Sequence, residues 1–413
     1  MQQSQYAVGI DIGTTMIRCV VGHIDSDTGK PTVVGVGVAP NSGMRKGVVA
    51  NLAGPAKVID EVLGEAERMS GQEVDEATIS INGSHIISSR ADGMIAAGGA
   101  DHEINEEDLL RVEEVATVGK IPANRETIEI VPHSYRLDGQ DGIKDPIGMT
   151  GTRLEIDAVV VSALVPHVNN VKKAAEMATV QPHGIAPSVL AAAKAVLNEK
   201  QIESGVAVID MGGATTSVAV FEEGDLQFVG VVPIGGNNIT NDLAIGLKTN
   251  PEVAEQVKLK HARAVARETS EAVSVKHDKE TLQFETADID EIVEARLEEI
   301  FEGIEKELKK AGRSGKLPSG VVLVGDGSHL NKLSDFAKEA LGLAVTIGRP
   351  TGFAGVNEKV EQPEFAAAVG LMLLDADMLT TGQVGHKKGT DSGLSGGLKA
   401  SKGLLARIFK KFK

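Results

Sequence analysis

The chain has 413 residues, 42% hydrophobic and 24% charged, the balance of an ordinary globular protein that is too long for a single core. Two Tyr, nine Phe and no Trp supply too few rings for a base-stacking surface, so nucleic acid is not an expected partner. The net charge of −16 is uneven: eight Lys/Arg and one Asp give residues 387–413 a balance of +7, leaving −23 for the rest, which implies a separate partner for the basic end.

The first five residues are polar and strand pattern follows at once, so no signal peptide is expected. No apolar run approaches the ~18 residues that span a bilayer. From Tyr6 the chain reads Gly9-Ile10-Asp11-Ile12-Gly13-Thr14-Thr15, an apolar strand running into a tight turn that carries an Asp. Hairpin partners are predicted near 17–23 and 32–38, then a helix over 52–71. Cys19, the only cysteine, falls inside a strand and reads as a small buried residue in a reducing compartment. Ten scattered His show no ligand spacing, so a metal site built from protein side chains alone is not expected.

An extra block follows. Residues 73–82 read as a strand, 104–117 as an amphipathic helix, and 126–137 and 154–162 as further strands. A small lobe inserted after a core strand is expected to bind partners; the alternative is that it only stiffens its host.

The opening phrase then returns as Val208-Ile209-Asp210-Met211-Gly212-Gly213-Ala214-Thr215-Thr216, with strands predicted over 206–210, 217–221 and 226–233 and a helix over 239–247. Glycine turns let backbone N–H groups approach an anion, and Thr hydroxyls add donors. An Asp at each strand end can hold Mg²⁺ or orient a water. One such turn is commonplace. Two, about 200 residues apart, predict two α/β lobes that clamp a nucleotide's phosphates from both sides.

Long helices are predicted over 250–265 and 288–310, the second with a core-facing stripe from Ile289 to Leu308. The buried run Val321-Val322-Leu323-Val324 leads into Gly325-Asp326-Gly327-Ser328 and a helix over 330–340. Such a turn permits close approach of a base or phosphate. Six glycines among residues 380–400 make a flexible linker of ~25 Å reach. In the final segment, 401–413, Leu404, Leu405, Ile408, Phe409 and Phe412 share one helical face, opposite Lys402, Arg407, Lys410, Lys411 and Lys413. This is the pattern of a helix lying flat on an anionic membrane surface; docking on a protein is the alternative.

These motifs resemble the actin/Hsp70/sugar-kinase ATPase superfamily and, within it, the FtsA family of bacterial cell division. The resemblance runs from Tyr6 to Lys413 and includes Ser80-Ile81-Asn82-Gly83-Ser84-His85-Ile86, Asp145-Pro146-Ile147-Gly148-Met149-Thr150-Gly151, Pro233-Ile234-Gly235-Gly236-Asn237-Asn238-Ile239-Thr240 and Ala254-Glu255-Gln256-Val257-Lys258. It implies an α/β, actin-like ATPase fold of two duplicated ribonuclease-H-like lobes with an inserted FtsA-type subdomain. Lobe 1 would comprise 1–82 and 163–200, closed by about 363–379, and the insert 83–162. Lobe 2 would span 201–362, with an outer subdomain at about 239–312.

By the same resemblance, Asp11 and Asp210 would flank Mg²⁺ and the γ-phosphate of ATP. Gly13, Thr14, Thr15, Gly212, Gly213 and Thr215 would cradle phosphates. Glu255 and Lys258 would reach the ribose or adenine, and Gly325, Gly327 and Ser328 would line the adenosine pocket. Two departures from the family pattern stand out: Ala214 stands where a third glycine is usual, and Val324-Gly325-Asp326 stands where Thr-Gly-Gly is usual. The implied function is an ATP-binding filament protein that polymerises on the inner membrane face at the division site. It would tether the FtsZ ring, whose acidic C-terminal peptide would meet Arg296, and recruit later division proteins through the insert. With no general base beyond the two Asp, any hydrolysis is expected to be slow. A small-molecule kinase of the same superfamily and a pilus-assembly relative are the alternatives.

Overall fold

The computed structural model describes residues 5–97, 102–278, 280–355 and 358–380. The linker from 381 and the amphipathic segment 401–413 lie outside the described residues.

Two five-stranded sheets of one topology form the body. In the first, the order is Gln181–Pro187, Glu76–Ile81, Tyr6–Ile12, Met16–Ile24, Pro31–Pro40. In the second it is Val345–Ile347, Val321–Val324, Val206–Met211, Thr216–Glu222, Asp225–Val232. Each is a three-stranded antiparallel meander extended by two parallel strands. The repeat in sequence is therefore a repeat in fold. Both first strands are Val/Ile/Ala runs buried on both faces, as central strands covered by helices must be. Helix Ala53–Ser70 covers the first sheet with Val58, Ile59, Val62, Leu63 and Ala66. Helix Thr286–Lys310 presents its predicted stripe to the second, Ile289, Val293, Leu297, Ile300, Phe301, Ile304 and Leu308 all being buried.

The inserted subdomain has a four-stranded sheet, Ile87–Ala96, Arg153–Leu164, Arg125–Leu137, Gln140–Ile143, with helix Glu106–Thr117 against it. Asn105 caps that helix by accepting from the backbone N–H of Glu107 and Asp108. Residues 76–81, read with the extra block along the chain, pair parallel with Tyr6–Ile12 in lobe 1, where the resemblance had put everything up to residue 82. The strand Ile87–Ala96 carries Ser88, Ser89, Arg90, Asp92 and Gly93 and so lacks an apolar alternation to announce it. The insert also rests on lobe 2: the Ser88 hydroxyl exchanges hydrogen bonds with Val229 O (2.9 Å) and N (2.8 Å), and Arg90 Nη2 donates to Gln227 Oε1 (2.9 Å).

Further elements were not anticipated. A hairpin, Ala272–His277 with Glu280–Glu285, stands between the two long helices of lobe 2, and the first of these ends at His261. After Val324 a 3₁₀ turn, Asp326–His329, delays the next helix to Leu333–Leu341. Helix Ala366–Thr380 closes lobe 1 against helix Ser188–Val196 and strand Tyr6–Ile12. It is apolar on all sides and almost wholly buried, as such a helix has to be. Its one buried acid, Asp375, is fully partnered: it accepts from Val8 N (2.8 Å) and Thr78 Oγ1 (2.6 Å) and meets the His183 ring. Burial opposes a charge on His183, but the Asp375 carboxylate outweighs it and the imidazole pKa is raised.

Candidate nucleotide cleft

The two hairpin turns face each other across the gap between the sheets. Each closes by the same bond, Gly13 N to Met16 O (3.1 Å) in one and Gly212 N to Thr215 O (3.0 Å) in the other. Their loop carbonyls are held from behind in different ways. In lobe 1, Asn41 donates from its side chain to Gly13 O (2.6 Å) and from its backbone to Thr15 O (2.7 Å). In lobe 2, two backbone groups do this work, Gly236 N to Gly212 O (3.0 Å) and Asn237 N to Gly213 O (2.7 Å).

The turns come close. A Cβ on Gly213 would lie 2.5 Å from Thr15 Cγ2 and 2.7 Å from Thr15 Oγ1. Asp11, Gly13, Thr14, Thr15, Asp210, Gly212, Gly213, Ala214, Thr215, Gly325 and Asp326 line one cleft. The cavity between them is about 50 Å³, room for a few waters.

At the floor sit the two carboxylates. Asp210 accepts from Ser188 Oγ at 3.1 Å; Ser188 in turn bonds Asn82, which reaches back toward Ser80 Oγ (3.5 Å). Burial, then the negative charge of Asp11, pushes the Asp210 carboxyl up to about 7. Burial also raises Asp11, opposed by hydrogen bonding from Ser80 and by the Arg18 charge. Asp11 Oδ1 is buried without a hydrogen-bond partner. An orphaned carboxylate oxygen beside a second crowded carboxyl is a site lacking positive charge, and so it suits a hard cation. Among the described residues no group of three or more His, Cys, Asp or Glu could hold a metal by itself. Two carboxylates with phosphate oxygens completing the shell is the usual arrangement for Mg²⁺, so the donor set fits.

Gly325 is fixed by this floor. Its φ is +84°, and a Cβ there would meet Asp210 Oδ1 at 2.5 Å. Asp326, next to it, pairs across the cleft with Arg18.

Four predicted residues stand back from the lining. Lys258 Nζ donates to Thr240 Oγ1 (2.8 Å) and Gly236 O (3.3 Å) and pairs with Glu255 (2.7 Å), at the first turn of helix Gly236–Gly246. Gly327 packs on Met211, and Ser328 Oγ donates to Gly325 O (2.7 Å), so both shape the turn from beneath. Arg296 is engaged with Asp242 and Glu299, and its pKa is raised chiefly by the hydrogen bond to Asp242.

Arg18, Asn82 and Ser188 were not singled out from the sequence. For Arg18 a signal existed: it is the one charge inside the apolar strand Met16–Ile24, and the hairpin register sets it opposite Asp11.

Duplicated sheets with facing hairpins and a pair of buried carboxylates define the actin-like ATPase fold. Solved structures agree: the PilM–PilN type IV pilus biogenesis complex superposes with a TM-score of 0.65 at 19% identity over 90% of this chain and 98% of that one. MreB5 of Spiroplasma citri bound to ADP gives 0.53 at 12% identity, covering 92% and 99%. The MamK double helical filament gives 0.51 at 13%, covering 89% and 98%. Sequence narrows the class. A family profile described as "Cell division protein FtsA" matches residues 207–370, and one described as "SHS2 domain inserted in FTSA" matches 83–162. Cell division protein FtsA of Pseudomonas aeruginosa is 34% identical over 90% of each chain. That of Bacillus subtilis is 33% identical over 90% of this chain and 84% of its own. The chain belongs to the FtsA family, actin-like proteins of cell division. Family membership decides against the small-molecule kinase and the pilus-assembly alternatives.

Proposed function

We propose that this chain binds Mg-ATP between its two hairpins, polymerises at the cytoplasmic face of the cell membrane and tethers the FtsZ ring there during division. One observation carries the reading: two matching turns, one in each lobe, converge on a pair of buried carboxylates with an unpartnered oxygen. Asp11 and Asp210 would hold the metal. Gly13, Thr14, Thr15, Gly212, Gly213 and Thr215 would take the phosphates, with Gly325, Gly327 and Ser328 shaping the adenosine side. Bound Mg²⁺ would neutralise phosphate charge against the two carboxylates. Glu255 and Lys258, held to Thr240, would reach the ribose or adenine only from the cleft rim. ATP acts here as glue between lobes, favouring the state that polymerises.

Self-association is in keeping with the MamK filament, a protein of the same fold. The acidic C-terminal peptide of FtsZ would dock on the outer part of lobe 2, where Arg296 could exchange its exposed partner Glu299 for a peptide carboxylate. The insert, occupying 83–162, would recruit later division proteins.

No helix among the described residues is long and apolar enough to cross a membrane. Attachment would fall to residues 401–413, with Leu404, Leu405, Ile408, Phe409 and Phe412 in the lipid and Arg407, Lys410 and Lys411 among the headgroups. One copy pays the ordering cost of a short helix and binds weakly. A filament presents many copies, and avidity exceeds single-copy affinity by ~10²–10⁴.

Sedimentation with anionic vesicles tests this. The parent should pellet strongly with Mg-ATP and weakly without it, and Phe409→Asp should stay in the supernatant at any salt. Phe409→Asp pelleting like the parent would refute the membrane role.

A further inference from the structure

Among the described residues, Arg18 is the only basic one lining a cleft that also holds Asp11, Asp210, Asp326 and Glu364. Its strand belongs to lobe 1, whereas Asp326 follows strand Val321–Val324 of lobe 2, so their ion pair crosses the gap between the lobes. The two ends of the pair differ. Arg18 is buried, 6% exposed, with its guanidinium 5.5 Å from the centre of the Phe365 ring and its Nε without a hydrogen-bond partner. The Asp326 side chain is 42% exposed and can return to water at little cost. Arg18 cannot leave without another anion to receive it, since an unpaired buried charge is far more costly than a paired one. A cavity of about 50 Å³ lies beside them.

We propose that Arg18 and Asp326 form a latch that holds the cleft shut, and that a nucleoside polyphosphate opens it by ion exchange. The phosphate takes the Arg18 guanidinium, whose free Nε gives the fork an additional donor, and Asp326 is released to solvent. Arg18 thus both closes the cleft and binds phosphate once the latch has opened. The proposal rests on the nucleotide reading above and adds to it a barrier that the protein sets against its own ligand. The apparent affinity is the intrinsic one multiplied by the fraction of unlatched protein.

The test measures binding of Mg-ATP and of adenosine to the full chain and to Asp326→Asn, Arg18→Gln and the double variant. Spin labels on the two lobes report their separation without ligand. Asp326→Asn should widen the lobe separation and tighten both ligands by up to ~10-fold, the scale of a partly exposed pair. Arg18→Gln should also widen it, yet bind ATP at least ~10-fold more weakly than Asp326→Asn while binding adenosine equally well. The double variant should match Arg18→Gln. If Arg18→Gln does not fold, Arg18→Lys replaces it and should fall between the two. Unchanged separation in Asp326→Asn overturns the latch, and so does a gain confined to ATP, which would mean simple charge repulsion. Equal ATP binding by Arg18→Gln and Asp326→Asn overturns the phosphate role. Failure of the parent and every variant to bind ATP would instead refute the nucleotide reading.

Discussion

At the end of the first hairpin Asp11 faces Arg18 across the ladder, whereas at the end of the second Asp210 faces Ser217. Backbones and turn bonds correspond, yet one carboxyl has a cation opposite and the other a hydroxyl. Burial raises both carboxyls: at Asp11 the Ser80 hydrogen bond and the Arg18 charge oppose it, and at Asp210, which burial and then Asp11 drive up to about 7, the Ser188 hydrogen bond is the first opposing contact. A duplicated fold thus sets its two carboxyls against different partners, and the side chain that faces each Asp is one point of divergence. The same asymmetry extends to the loops, where lobe 1 uses the Asn41 side chain and lobe 2 uses backbone.

The largest way to break the comparison is at the carboxylates. Asp210→Asn and Asp11→Asn should each weaken Mg-nucleotide binding roughly 100-fold at pH 8, read by calorimetry. They should differ in pH dependence. In the parent, Asp210 must lose its proton to meet the metal, so affinity should fall ~10-fold per unit below pH 7. Asp210→Asn should flatten that profile, and Asp11→Asn should shift its midpoint downward by removing a neighbouring negative charge. The ligand-free protein should show the opposite trend. Folded Asp210 titrates near 7 and the unfolded residue near 3.8, so native protein holds the extra proton between those values. Stability is then full below the lower value and declines as pH rises through the upper one. Identical pH profiles for both variants would contradict the asymmetry.

A smaller effect is expected at the floor of the second hairpin alone. Gly325→Ala places a methyl 2.5 Å from Asp210 Oδ1 at a φ of +84°. It should cost about 2 kcal/mol in chemical denaturation, and a cost near zero would show that the turn can move away from Asp210. The smallest effect sharpens the contrast between loops. Asn41→Ala removes a side-chain bond to Gly13 O and should cost about 1 kcal/mol, whereas Asn237→Ala leaves its backbone bond intact and should change stability little. Equal losses would mean that the loops are not braced differently.

The sequence made the two meanders legible to within a residue or two, because apolar strands ended in Gly/Thr turns that only a phosphate-type loop or a plain turn would use. Helices 53–70 and 286–310 were legible through their apolar stripes. What escaped notice had no period to read. Strand Ile87–Ala96 is mostly polar and the hairpin over 272–285 alternates only weakly, whereas helix Ala366–Thr380, uniformly apolar, was placed only by the resemblance, as the segment closing lobe 1. The site was legible where motifs carried it and hidden where partners were distant: Arg18 and Asp326 are 308 positions apart. Glu255 and Lys258, assigned by resemblance, turn inward to Thr240 because each satisfies the other there.

Helix Ala366–Thr380 has a mechanical consequence. It is the last described element before the glycine-rich segment, so tension applied to the chain beyond Thr380 enters the protein along its axis. There it meets Asp375, bonded to the backbone of Val8 and to Thr78, in the two central strands of lobe 1. Val8 lies three residues before Asp11 on the same strand. A pull from a surface would therefore be delivered to the central strands of the body, one short step from Asp11, and not to a peripheral loop that could yield.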